Sequence, residues 1–342
     1  MLTGLVDPLH DPRWARLVDR CPQASIFHHP AWLGLLAEQY RYPVAAAAVF
    51  DAAGEPVAGL PLALVASRLT GRRLVALPFS DVCPPLLAPG THPDALQLLA
   101  RAVEAERRRR DLPLIVRAPF AQLDRPVDRF HLHVVDLRGG LAEAERCYAS
   151  RTRRHVRKAR RLGVEIRQRV DPEALEEFYA LHLRTRRRLG VPTQPKAFVR
   201  ALAGLFDRGL GFVAVARFEG EPIAASVFLR TGRNLTYKYG ASDERYLHTR
   251  PNNLIFADVI RSACDEGLAT LDLGRTELGQ DGLSAFKRSL GATEELLAYT
   301  YRGSAPGPST PSPARRAVAA VIRKSPPVVG RAIGKVFYRH AG

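Results

Sequence analysis

Residues 237–292 read YKYGASDERYLHTRPNNLIFADVIRSACDEGLATLDLGRTELGQDGLSAFKRSLGA. A strand pattern ends at Gly240, an arginine-containing loop follows, and Pro251 opens a helical pattern that yields to a second strand, LATLDLG. This order of strand, loop, helix and strand predicts an α/β fold. Proline suits the first turn of a helix, because its fixed φ is already helical and the missing N–H had no partner there. Asn252 and Asn253 stand beside the unpaired amides at the positive end of the helix dipole, with Arg250 adjacent. That combination predicts an anion site suited to a pyrophosphate, with ordinary helix capping as the competing role. Upstream, Tyr237 and Tyr239 alternate with Lys238, so a period of two puts both tyrosines on one face and the lysine on the other. Either phenol is a candidate proton donor; core packing is its alternative.

The same grammar extends outward. DPEALEEFYALHLRTRRRLG predicts a helix with Asp171 as N-cap, Pro172 in its first turn and Gly190 at its end. PKAFVRALAGLFDRG reads as another helix, and residues 211–242 as three strands turned at EGEP and TGRN. The first half places a similar turn, DAAGEP, between AAAAVF and VAGLPLALV, then a strand (RRLVALPF), a helix (HPDALQLLARAVEAERRRR) and a strand (LPLIVRA). Two apolar strands around a Gly-Glu-Pro turn in both halves hint at an internal duplication. At 342 residues, two domains are expected. We place them at 1–140 and 141–302, followed by a Pro/Gly/Ser linker, 303–313, and a basic tail, 314–342.

The net charge of +17 is unevenly spread. Residues 1–140 carry 16 basic and 14 acidic side chains, residues 141–302 carry 28 and 20, and residues 303–342 carry 7 and none. An anionic partner of the second half is one explanation. The other is an arginine-rich proteome, since 45 of the 51 cations are Arg. The four cysteines are dispersed, His28 and His29 have no partner at ligand spacing, and no metal is expected. The N-terminus lacks the features of a signal peptide and no stretch is long enough to span a bilayer. A cytoplasmic protein is expected, with the inner membrane surface as an alternative location. Val318, Val321 and Ile322 share one helical face of the tail, which either docks on its own domain or meets a membrane.

The densest charge lies at residues 150–163, SRTRRHVRKARRLG, with seven cations and no acid. Ser150 reads as an N-cap, Gly163 as a stop, and Thr152, Val156, Ala159 and Leu162 as one apolar stripe. Arg153, Arg154 and Arg157 are candidate phosphate ligands, because guanidinium forks match phosphate oxygens. A solvated basic face is the competing reading.

Residues 150–302 resemble the FemAB-like, BioF2-like branch of GNAT acyltransferases through RRHVRKARRLGVEI, YKYGASDE, RPNNLIFADVIRSACDEGLATLDLGR and GLSAFKRSLGA. Residues 26–88 resemble the N-terminal halves of the same proteins through IFHHPAWLGLL, GLPLALV and LPFSDVCPPLL. The resemblance implies two tandem GNAT-like α/β domains and transfer of an acyl or aminoacyl group to an amine, that of a cell-envelope precursor. The donor it implies is acyl-CoA or aminoacyl-tRNA, with tRNA a partner in the second case. Two features depart from the family. The interval from Gly190 to Gly211 is too short for the helical arm of the larger tRNA-dependent members, and RYLHTRPNN replaces the usual RxxGxG loop.

Acyl transfer needs a donor held by its phosphates, a polarised carbonyl and an amine able to lose a proton. Lys287 matches the family's FK position and is the expected oxyanion stabiliser; a solvated surface lysine is the alternative. Asp272 and Arg275 would position an acceptor, relay a proton or simply pair with each other, and Arg275 joins Arg250, Asn252 and Asn253 as a candidate donor ligand. Tyr239 is the expected proton donor. In the first domain Phe79, Ser80, Asp81 and Trp32 are candidates for the acceptor cleft, with core packing the stronger role for Trp32. A non-catalytic adaptor, binding nucleic acid or membrane through the basic run and tail, is the rival outside enzymology.

Overall fold

The computed structural model describes residues 1–67, 70–303, 313–338 and 340. The chain divides into two units. One comprises Met1–Phe130 and the segment beginning at Leu296; the other comprises His131–Glu295 and the C-terminal helices. Most of the expected linker, 304–312, lies outside the described residues.

The first unit contains β1 (Leu2–Val6), α1 (Pro12–Arg20), α2 (Pro30–Tyr40), β2 (Val44–Phe50), β3 (Pro56–Ser67), β4 (Gly71–Ala76), β5 (Leu86–Leu87), α3 (Asp94–Arg110) and β6 (Leu114–Val116). Its strands run β1-β2-β3-β4-β6, with β5 beside β3. β2, β3 and β4 form an antiparallel meander, and α3 then carries the chain to β6, parallel to β4. α3 buries Ala95, Leu99 and Val103 against Ala47, Leu60 and Leu74 of the sheet. Trp14 and Trp32, on α1 and α2, are fully buried, so Trp32 is a core residue.

β7 (Val127–Asp136) leads into the second unit: α4 (Gly140–Arg146), α5 (Ser150–Arg161), β8 (Glu165–Arg169), α6 (Pro172–Leu189), α7 (Lys196–Ala201), α8 (Ala203–Phe206), β9 (Gly211–Phe218), β10 (Glu221–Thr231), β11 (Asn234–Ser242), α9 (Pro251–Asp265), β12 (Thr270–Glu277) and α10 (Asp281–Arg288). The chain continues through β13 (Thr293–Arg302), α11 (Pro313–Lys324) and α12 (Pro327–Phe337). The strand order is β7-β12-β11-β10-β9-β8. Again an antiparallel meander, β9-β10-β11, is followed by a helix, α9, and a parallel strand, β12. The duplication hinted at by two short turns is thus a repeat of topology. Both units are mixed α/β, as expected.

Several local expectations need correction. The N-cap of α5 is Ala149, and Ser150 is already helical. Thr152, Val156 and Ala159 are buried as the stripe requires, but Leu162 is 40% exposed because α5 ends before it. The expected helix at PKAFVRALAGLFDRG is two short ones, α7 and α8. In the tail only Ile322 of the expected apolar face is buried; Val318 and Val321 are exposed. α11 and α12 pack on α6, so the tail docks on its own unit. Arg186 Nη2 donates to the Tyr338 hydroxyl at 2.7 Å, and Thr193 N–H donates to the Gly330 carbonyl. A Cβ on Gly334 would lie 1.8 Å from the Thr193 carbonyl oxygen, so only glycine permits this approach.

Candidate functional site

Three helices of the second unit build the site. α9 starts from Arg250, which adopts the left-handed conformation (φ 62°) and makes no side-chain cap. Pro251 occupies the first turn as expected, so the first-turn amides of a 15-residue helix carry no side-chain acceptor from its own N-cap. α5 lies alongside. His155 of α5 shares a hydrogen bond with Asn253, and burial, then the charges of Arg250, Arg154 and Arg151, lower its pKa. The charges of three guanidiniums from two chain segments therefore act on His155, on the helix packed against α9. Asn253 is 8% exposed, held by that imidazole, and Asn252 is half-buried.

α10 closes the group. Arg151 Nη2 donates to the Ala285 carbonyl at 2.7 Å, the Thr152 hydroxyl donates to Ser289 Oγ at 3.0 Å, and Phe286 packs edge-on against Phe256 of α9. These contacts flank Lys287, which is 4% exposed, so it is not a solvated surface lysine. Its ammonium donates to the carbonyls of Gly274 (2.7 Å) and Arg275 (3.2 Å). Those carbonyls lie just beyond the point where β11 and β12 part. The parallel pairing joins Asn234, Leu235 and Thr236 to Thr270, Leu271 and Asp272 and goes no further. Asp272 Oδ1 accepts the Gly274 N–H at 2.7 Å and so shapes the strand under the lysine. Arg275 is half-buried beside it.

Two residues near Lys287 were not found from sequence. His133, fully buried on β7, has Nε2 2.7 Å from Glu294 Oε2. Burial lowers its pKa, Glu294 opposes that shift, and the nearby charge of Lys287 adds to it. Their only sequence signal is that FHLHVVD alternates polar imidazoles along a strand. His155 likewise lay unselected within the basic run.

The tyrosine expectation is corrected. A β-bulge intervenes where Val227 pairs with Tyr239 and Phe228 with Tyr237, leaving Lys238 as the extra residue. Tyr237 therefore packs against Phe228 and Phe256, while Tyr239 packs among Phe178, His182 and Phe198. One ring meets α9 and the other meets α6 and α7, so they do not share a face.

The remaining candidates are placed as follows. Arg153 Nη1 donates to the Tyr148 carbonyl at 2.5 Å and helps close the end of α4. Arg157 is exposed. In the first unit Asp81 is half-buried and its carbonyl accepts the Tyr299 hydroxyl at 2.6 Å. Phe79 stacks on Tyr42 and packs at a tilt against Tyr40, and Ser80 Oγ donates to the Leu77 carbonyl at 2.6 Å. The fold brings Cys83 Sγ within 3.5 Å of His28 Nε2, a neighbour that linear spacing did not reveal. Burial pushes that thiol's pKa up and lowers that of His28 to about 4, so both stay neutral.

Residues 146–288 match the acetyltransferase (GNAT) domain family. These residues carry a GNAT-type acyltransferase domain. A curated relative, the UDP-N-acetylmuramoylpentapeptide-lysine N(6)-alanyltransferase of Weissella viridescens, is 26% identical over 142 residues. That match covers 41% of this chain and 42% of the relative, less than half of its length. The crystal structure of FemX superposes with a TM-score of 0.71 at 14% identity, covering 88% of this chain and 97% of that one. L-PGS from Bacillus licheniformis gives 0.57 at 14% identity, covering 93% and 98%. A tandem GNAT protein from the clavulanic acid biosynthesis pathway gives 0.52 at 13% identity, covering 89% and 99%. These structural likenesses define the fold.

Proposed function

We propose that this chain transfers an acyl or aminoacyl group from a phosphate-bearing donor to an amine of a cell-envelope precursor. The observation that carries the reading is the uncapped start of α9 at Arg250, with the basic helix α5 packed along α9 and joined through Arg151 to the helix that bears Lys287. Uncapped amides and guanidiniums suit donor phosphates. The parting of β11 from β12 leaves backbone edges for an extended donor arm, and the buried ammonium beyond it suits the developing oxyanion. In the reaction the amine nitrogen bonds to the acyl carbon, the tetrahedral oxyanion collapses, and the donor's C–S or C–O bond breaks. The amine's proton leaves with the thiol or hydroxyl, or to water. Asp272 acts here by fixing Gly274, and Tyr239 by packing against His182 beside the open strand edge.

Acyl-CoA is the donor we favour, because the short interval between Gly190 and Gly211 leaves no long arm for a large RNA. The aminoacyl-tRNA reading is favoured by the name of the Weissella relative, an alanyltransferase acting on a lysine of a nucleotide-linked pentapeptide. The deciding experiment incubates the purified chain with a UDP-linked, lysine-containing peptide and either radiolabelled acyl-CoA or charged tRNA. Labelled product from one donor selects that reading. No product from either sinks both and leaves the adaptor.

We extend the proposal to location: a cytoplasmic chain working at an anionic membrane surface. Val328, Val336 and Phe337 of α12 are 54%, 61% and 45% exposed, among exposed Arg331 and Lys335. No helix among the described residues is long and apolar enough to cross a membrane.

A further inference from the structure

Lys287 is held from two sides, and both supports end on one imidazole. On one side its ammonium donates to the carbonyls of Gly274 and Arg275. Thr276, the next residue of β12, is 1% exposed and has its hydroxyl 3.5 Å from His133 Nδ1. On the other side Arg288, which follows the lysine on α10, places Nη1 2.8 Å from each oxygen of Glu294. Glu294 Oε2 in turn lies 2.7 Å from His133 Nε2. The Thr293 hydroxyl donates to the Val134 carbonyl at 3.1 Å, which holds the start of β13 beside β7. These contacts close a circuit from the lysine through β12, the imidazole, the carboxylate and Arg288 back to α10.

An ionised carboxylate only accepts hydrogen bonds, so His133 Nε2 carries the hydrogen. In the neutral imidazole Nδ1 is then the acceptor, and the Thr276 hydroxyl is its donor. A proton on Nδ1 would remove that acceptor and set a second cation near Lys287. Burial opposes that proton most, Glu294 favours it, and the charges of Lys287 and His131 oppose it. His131 lies on the same strand, with Nδ1 3.8 Å from Glu294 Oε1, and Arg288 acts through the same carboxylate. We propose that neutral His133, with its tautomer set by Glu294, is a positioning residue for Lys287. Through Thr276 it fixes the strand whose carbonyls aim the ammonium, and through Glu294 and Arg288 it fixes the helix that carries it. A lysine's flexible four-carbon stem needs such a frame, since a cation stabilises an oxyanion without reorganisation only where it is already in place. This proposal rests on the acyl-transfer reading and on the role given there to Lys287.

Two measurements on the full chain test it. Heteronuclear NMR of histidine-labelled protein reads the tautomer and titration of His133, its signals assigned by their loss in His133→Asn or His133→Gln. The Nε2–H form is expected at neutral pH. Its titration should move up in Lys287→Ala, which removes an opposing charge, and down in Glu294→Gln, which removes a favouring one. The second measurement is steady-state kinetics with whichever donor yields labelled product. Thr276→Val should lower kcat about ten- to a hundredfold with KM nearly unchanged, and Thr276→Ser, which keeps the hydroxyl, should retain most of it. Should Thr276→Val fold poorly, Glu294→Gln, at a partly exposed position, carries the kinetic test. It should move the acidic limb of kcat to lower pH, which a merely structural contact would not do. The opposite tautomer, a titration indifferent to Lys287, or full kcat in a folded Thr276→Val would each overturn the proposal. Absence of product with every donor would instead defeat the acyl-transfer reading, and the response of His133 to Lys287→Ala would then decide the coupling by itself.

Discussion

Lys287 holds a positive charge where water scarcely reaches, and two backbone carbonyls aim it. Replacing it with alanine should lower kcat by about a hundred- to a thousandfold and leave KM nearly unchanged, because an oxyanion contact exists only in the transition state. Steady-state kinetics with the donor identified by labelling would check this; full turnover in Lys287→Ala would remove it from the chemistry. Two other buried groups govern stability. His28 in the first unit and His182 in the second both have pKa values lowered to about 4, chiefly by burial. Above the unfolded value, near 6.5, both states are neutral and nothing is lost. As pH falls toward 4 the unfolded chain takes up protons that the folded chain refuses, costing on the order of 3 kcal/mol per imidazole. Urea melts at pH 7.5 and pH 4.5 should therefore differ steeply, and His182→Asn should flatten the difference. Sequence named Lys287 through its family position but could not name His133 or Glu294. They meet only when β7 and the residues after α10 are folded together, and no linear spacing encodes that.

At the scale of elements, helix and strand identities follow from local chemistry, and the exceptions have local causes. Asp171, Pro172 and Gly190 bracket α6 as their backbone preferences require. The face of a strand is harder to read, because one inserted residue reverses it. Nothing in TYKYG announces that the register shifts at Lys238; the bulge accompanies the fit of Phe228 and Tyr237 beneath α9. Gly240 belongs to the same fit. A Cβ there would stand 2.1 Å from the Tyr237 hydroxyl, whose ring is pinned between Phe228 and Phe256. Gly240→Ala should cost about 1–3 kcal/mol by overpacking, measurable as a lower denaturation midpoint. An unchanged midpoint would mean that the ring is not held.

The whole chain repeats one theme, a three-strand meander, a helix and a parallel strand, with basic helices added at the end. Those helices make two checkable statements. Gly334→Ala should lift α12 from Thr193, exposing the tail to trypsin at rates well above the parent chain. Vesicles containing phosphatidylglycerol should sediment the protein and pure phosphatidylcholine should not; replacing Arg331 and Lys335 with glutamine should abolish the difference. The seam should respond to salt in an unusual sense. Arg187 and Arg188 on α6 confront Arg323 on α11 across a cavity about 550 Å³ in volume. Most packed surfaces that join charged helices loosen as electrolyte is added, because their attraction is masked. Here the masked force is mutual dislike, so the closing segment should grip more firmly in brine than in dilute buffer, and purification at low ionic strength would select a looser molecule than concentrated electrolyte.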